Sequence, residues 1–123
     1  MPVLRPNDAT VFEIHGASFS SYVAPSRGSS QLCAWRLEVP AGTVGVAHRP
    51  TRDEVLLVLA GTLRVALDGD ELDAGPGDVV VAPADSEVRV DTLGAPASAW
   101  VTTTPGLEAV MADGSRIVPP WAQ

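Results

Sequence analysis

The feature that most constrains this chain is its punctuation. Turn-forming clusters recur at short intervals: Pro40-Ala41-Gly42, Gly61, Asp68-Gly69-Asp70, Gly75-Pro76-Gly77, Leu93-Gly94-Ala95-Pro96, Pro105-Gly106 and Asp113-Gly114. Between them lie runs rich in Val, Leu and Thr, at residues 31–39, 54–60, 62–67, 78–82, 87–91 and 98–103. No segment carries a useful length of apolar stripe at helical period. β-Branched residues between closely spaced breakers predict an all-β sandwich or barrel.

Two of these runs alternate cleanly. Cys33, Trp35, Leu37 and Val39 share one face, with Ala34, Arg36 and Glu38 on the other; Leu63, Val65 and Leu67 oppose Arg64, Ala66 and Asp68. Asp68-Gly69-Asp70 then suits a tight hairpin. The runs Val55-Leu56-Leu57-Val58-Leu59 and Val79-Val80-Val81 are apolar at every position. Such strands are expected to be covered on both sides, by a core or cavity within and by a second sheet or partner subunit without.

Composition removes whole branches of chemistry. The eight basic residues are all arginine, so there is no lysine for a Schiff base or a phosphate loop. A net charge of −7 disfavours nucleic acid. The single cysteine, Cys33, excludes an internal disulfide and any cysteine-cluster zinc site, and reads as a small buried apolar residue. No apolar run is long enough to cross a bilayer as a helix, and the N-terminal residues lack an apolar signal core, so a cytoplasmic protein without membrane contact is expected.

With two histidines, His15 and His48, a histidine-rich metal centre cannot come from one chain. His48 and Glu54, six residues apart, nevertheless have the look of half a metal site. The frame around them is Gly42, His48, Pro50, Glu54 and Gly61, and it is followed by Gly77, Pro83, Asp85, Val88 and Thr92. This pattern resembles the two motifs of the cupin family, G-x5-H-x-H-x3-E-x6-G and G-x5-P-x-G-x2-H-x3-N. Pro50 stands at the second histidine of the first motif. Asp85, Val88 and Thr92 stand at the last three positions of the second.

The resemblance implies a cupin barrel, that is, a jelly roll or double-stranded β-helix. Residues 31–104 would form its core, with N-terminal strands and a loop at 1–30 and a C-terminal segment at 105–123 docking on the barrel. In metal-dependent cupins the corresponding four positions bind a divalent ion. Here they read His48, Pro50, Glu54 and Val88, which leaves two donors, short of the three that open catalytic sites ordinarily supply. No metal and no other cofactor is therefore expected. Alternation points Glu87 away from Val88's side, Asp85 is expected at a solvent-facing turn, and His15 reads as a loop histidine.

What remains is a His48–Glu54 acid/base pair in an apolar barrel, with Pro50, Val88 and Trp35 as walls and Arg36 as a candidate orienting cation. The expected function is small-molecule binding, compatible with metal-independent isomerase, cyclase or dehydratase chemistry. The alternatives are a metal-dependent dioxygenase and a non-catalytic binding or sensory module. A homodimer is expected from the resemblance and from the strands apolar on both faces. Arg27, in the polar loop 25–30, reads as part of a solvated turn or as a cation closing over an anion.

Overall fold

The computed structural model describes residues 3–123; Met1 and Pro2, the start of the segment read above for a signal, lie outside the described residues. Twelve strands form: Thr10–Ile14 (β1), Ala17–Val23 (β2), Cys33–Val39 (β3), His48–Pro50 (β4), Glu54–Ala60 (β5), Leu63–Leu67 (β6), Asp70–Ala74 (β7), Val79–Ala82 (β8), Val88–Asp91 (β9), Ala97–Thr103 (β10), Ala109–Met111 (β11) and Arg116–Ile117 (β12). They make two six-stranded antiparallel sheets, ordered β1-β2-β3-β10-β5-β8 and β12-β11-β4-β9-β6-β7.

From β3 to β11 the chain passes back and forth between the sheets, so that β4 and β5 fall on opposite sheets although three residues separate them. That crossing is the jelly-roll pattern, and it closes a barrel without leaving the inner faces in water.

The core lies where the alternating runs meet. Trp35, Leu37, Val58, Leu63, Val65 and Val101 are all buried between the sheets. Each such side chain contributes about 1.5–3 kcal/mol through burial. Asp68 and Gly69 both adopt positive φ between the paired Leu67 and Asp70, as a two-residue hairpin loop requires. Gly61 has φ 71°, and a Cβ there would stand 2.2 Å from the Pro96 carbonyl oxygen. The barrel corner therefore needs glycine on two grounds.

The inner faces of β5 and β8 are covered as expected, and their outer faces are bare in the single chain. Leu56, Val58 and Val80 are buried, whereas Val55, Leu57, Leu59, Val79 and Val81 face outward and are exposed. No second sheet lies over them, because β8 ends its sheet and the other sheet packs on the opposite face.

The ends of the chain are tied to the barrel. β2 pairs with β3 and extends the first sheet. In the short helical turn Pro120–Ala122, Trp121 is buried, stacks on Phe19 at a centroid distance of 3.8 Å and meets Trp35 at 6.2 Å. Ser21 Oγ donates to the Trp121 carbonyl at 2.6 Å. Arg27 is not a free cation: it donates to the Tyr22 carbonyl, the Thr10 hydroxyl and the Asp8 carbonyl, and so clamps the N-terminal segment.

Candidate functional site

A cavity of about 160 Å³ lies between the sheets. Its wall is built from inward-facing apolar residues of both, among them Phe19, Trp35, Leu56, Val88 and Val101, and from Trp121 of the C-terminal turn. Among the described residues no arginine lines it. The polar residues on it are His15, Thr43, His48, Glu54 and Glu108.

His48 and Glu54 reach this cavity from opposite sides. His48 opens β4 and pairs with Val88 of β9 in the second sheet; Glu54 opens β5 and pairs with Ala82 of β8 in the first. The turn between them is held firmly. Asp53 Oδ1 accepts the Ala84 amide at 2.7 Å, and the Asp53 carbonyl accepts the Thr103 hydroxyl at 2.8 Å. Pro50 fits in a strand because the β4–β9 pairing consists of His48↔Val88, so no amide is needed there for that ladder.

The two polar groups differ in their surroundings. Nδ1 of His48 lies 2.9 Å from the Val46 carbonyl oxygen. A carbonyl only accepts, so the neutral ring carries its proton on Nδ1 and keeps the Nε2 lone pair free. Among the described residues no hydrogen bond or ion pair reaches the Glu54 carboxyl. The residue as a whole is half-buried, but its carboxyl is enclosed by the apolar lining. Desolvation raises its pKa from 4.5 to about 7. Glu54 is thus poised to hold or release a proton near neutral pH, a property that geometry alone confers.

Of the four other positions read from the sequence, three reach the cavity and one does not. Trp35, Pro50 and Val88 line the cavity with His48 and Glu54. Arg36 does not: it projects from the outer face of β3 and pairs with Glu38 at 3.1 Å. Strand alternation is the reason, since Trp35 and Leu37 take the inner positions on either side. Arg36 cannot orient a ligand in this barrel. Arg49 likewise points outward, donating to the Asp85 carbonyl at 2.8 Å and lying 3.7 Å from Glu87. Asp85 is exposed with φ 67°, so it takes the left-handed turn conformation that the family's glycine would hold.

Several cavity residues were not legible as such. His15 and Gly16 form the two-residue loop between the paired Ile14 and Ala17, both at positive φ, which brings the exposed His15 to the cavity mouth. The His-Gly dipeptide between alternating runs was an available hairpin signal. Met111, Glu108 and Trp121 come from the C-terminal segment and carry no motif.

The residues present do not fit a bound metal. Two of the four family positions, Pro50 and Val88, present hydrocarbon to the cavity. Among the described residues no group of three or more His, Cys, Asp or Glu could hold a metal ion. Among the described residues no helix is long and apolar enough to cross a membrane.

Comparison with known proteins agrees with the fold. A cupin-domain family model matches residues 35–102. The polyketide cyclase RemF from Streptomyces resistomycificus superposes with a TM-score of 0.74 at 16% identity, covering 87% of this chain and 83% of that one. An RmlC-like cupin from Shewanella frigidimarina gives 0.74 at 17%, covering 86% and 92%. The DMSP lyase DddQ from Ruegeria pomeroyi gives 0.68 at 27%, covering 79% of this chain and 53% of the lyase. No protein of curated function matches the sequence.

Proposed function

The chain belongs to the cupin family, and from that premise we propose that its barrel binds a small organic molecule and moves a proton on it by way of Glu54 and His48. The observation that carries this reading is the Glu54 carboxyl, unpartnered in an apolar cavity and titrating at about 7. A carboxyl with that pKa is divided between its two forms at neutral pH, so it can take a proton in one step and return it in another. His48 lines the same cavity from the other sheet, and its imidazole can take a proton or, once protonated, give one.

Isomerisation, cyclisation and dehydration share one requirement: a proton leaves one atom and a proton reaches another. In the simplest step a C–H bond next to a carbonyl breaks, the proton passes to Glu54, and the electron pair moves onto the carbonyl oxygen. A catalyst of that kind needs two groups on different sides of the ligand, which is what β4 and β5 provide. The structurally similar polyketide cyclase and the lyase support this class without selecting a member of it.

The test is proton–deuterium exchange at the α-carbons of a panel of small cyclic ketones in D2O, followed by mass spectrometry. Glu54→Gln and His48→Ala should each slow it at least about 100-fold. Wild-type exchange unchanged by both substitutions would make the barrel a non-catalytic binding or sensory module.

The outer face of β5 and β8 supports a second reading, of assembly. β8 is a sheet edge with free backbone groups beside exposed Val79 and Val81, an arrangement proteins seldom leave open. A copy related by a two-fold axis would set β8 against itself and cover both patches.

A further inference from the structure

We infer that the cavity is built for a small organic cation, an amine on a hydrocarbon body of about one ring, whose ammonium group meets the Glu54 carboxylate. This deepens the proposed function and rests on its reading of the cavity as the ligand site.

Charge comes first. The ionisable side chains on the cavity wall are His15, His48, Glu54 and Glu108. Among the described residues no arginine lines the cavity, and the chain has no lysine. Glu108 already has its cation, since Arg116 donates to it at 2.7 Å. Among the described residues Glu54 has none. One carboxyl on this wall therefore lacks a counter-charge, and the protein does not supply one. The net charge of −7 works in the same direction, drawing cations to the surface and repelling anions.

Access comes second. The buried side-chain atoms that lack a partner and are sealed from contact are Trp35 Nε1, Ser98 Oγ and Trp121 Nε1. The Glu54 oxygens are not among them, and Glu54 keeps part of its surface open. A molecule lodged against the lining can thus touch the carboxylate, although it cannot reach the indole nitrogens.

Energetics then select the class. Stripping water from a carboxylate is costly, and folding has already incurred that cost at Glu54. An arriving ammonium recovers the Coulombic attraction and loses only its own hydration. A ligand carboxylate would bring a second negative charge beside the first. A neutral hydroxyl would gain one hydrogen bond without a charge on its own side, weaker than the ammonium's doubly charged contact. A hard metal ion needs more oxygen donors than this wall offers, and among the described residues no group of three or more His, Cys, Asp or Glu gathers. The rest of the wall is hydrocarbon, which suits an organic body. At about 160 Å³ the cavity is close to the ~150 Å³ one known to take up benzene, so a single ring fits.

Three probes near benzene in size separate the possibilities: cyclopentylamine, cyclopentanol and cyclopropanecarboxylate. Each is titrated calorimetrically into the full chain at pH 8, where the amine is cationic and Glu54, at about 7, is mainly ionised. The side-chain 13Cδ resonance of Glu54 is followed in parallel by NMR. Cyclopentylamine should bind at least about tenfold more tightly than cyclopentanol, the equivalent of one hydrogen bond between charged groups. It should also move the Glu54 resonance, and cyclopropanecarboxylate should not bind. Glu54→Gln should cut the amine's preference below about threefold, whereas Glu108→Gln should leave it within about twofold of wild type.

An amine that fails to bind would overturn the inference, as would an alcohol or carboxylate that binds as tightly. A preference that survives Glu54→Gln would overturn it as well. The wild-type ranking and the resonance shift need no variant, so a substitution that fails to fold leaves the test intact. The two readings fail separately. Amine preference without Glu54-dependent deuterium exchange refutes the proton transfer and keeps the ligand class. Exchange without amine preference refutes the ligand class and keeps the proton transfer.

Discussion

Replacing Glu54 by glutamine should change how the stability of the protein depends on pH, and the sign and window follow from the cavity. In the unfolded chain Glu54 titrates at the ordinary 4.5; in the fold, desolvation holds it at about 7. Below 4.5 the carboxyl is protonated in both states and contributes nothing to the balance. Between 4.5 and about 7 the folded state binds the extra proton, so each rise in pH removes stability. Above about 7 the carboxylate is charged in both states, and the loss is complete. The gap between the two values amounts to about 3 kcal/mol. Because the residue is only half-buried, solvent at the cavity mouth reduces this to about 1–2 kcal/mol. The assay is urea unfolding of wild type and Glu54→Gln at half-unit steps from pH 4 to 8.5. Glutamine keeps the shape and cannot titrate. Its own amide also lacks a partner, so the offset between the two curves carries packing effects, whereas their difference in slope isolates the proton. The wild type should fall by about 1–2 kcal/mol relative to the variant across that window, or roughly 4–8 °C in Tm. Parallel curves would refute the desolvated carboxyl, and with it the acid/base reading of the site.

Further measurements bear on the frame, the metal and the surface. Gly61→Ala should cost at least about 2 kcal/mol in chemical unfolding, combining a left-handed backbone with an overpacked corner against Pro96. Elemental analysis of protein purified without chelators should find no stoichiometric iron, manganese, nickel or zinc, and chelator treatment should leave the melting temperature unchanged; a tightly held metal would show that Pro50 and Val88 are bypassed. If a second copy covers β8, Val79→Lys combined with Val81→Lys should convert a dimer to a monomer in sedimentation velocity, and a wild type already monomeric at micromolar concentration would end that proposal.

Much of this architecture is legible in the sequence. All six apolar runs reappear, as β3, β5, β6, β8, β9 and β10, within two residues of their expected limits. The hairpin at Asp68-Gly69 forms as its composition requires, and Asp85 occupies a turn that glycine would favour. Local chemistry decides such features: turn residues tolerate particular backbone angles, and alternation sends every second side chain inward. β4 was not legible, because three residues containing a proline do not look like a strand. Its pairing comes from β11 and β9, which lie far away in sequence.

The candidate site divides along the same line. Spacing against the glycines picked out His48 and Glu54, and alternation was sufficient to place Trp35 inside and would have placed Arg36 outside. The protonation behaviour of Glu54 was beyond reach, since desolvation depends on which distant side chains surround a carboxyl. His15 at the mouth and Trp121 at the wall enter the site only because the terminal segments fold back over the barrel. The sequence by itself determined an all-β barrel of the cupin pattern and two donors where a metal would need more, for those follow from neighbours in the chain. Tertiary structure alone decided the size of the cavity and the charge state of its carboxyl, because each is a property of side chains brought together across two sheets.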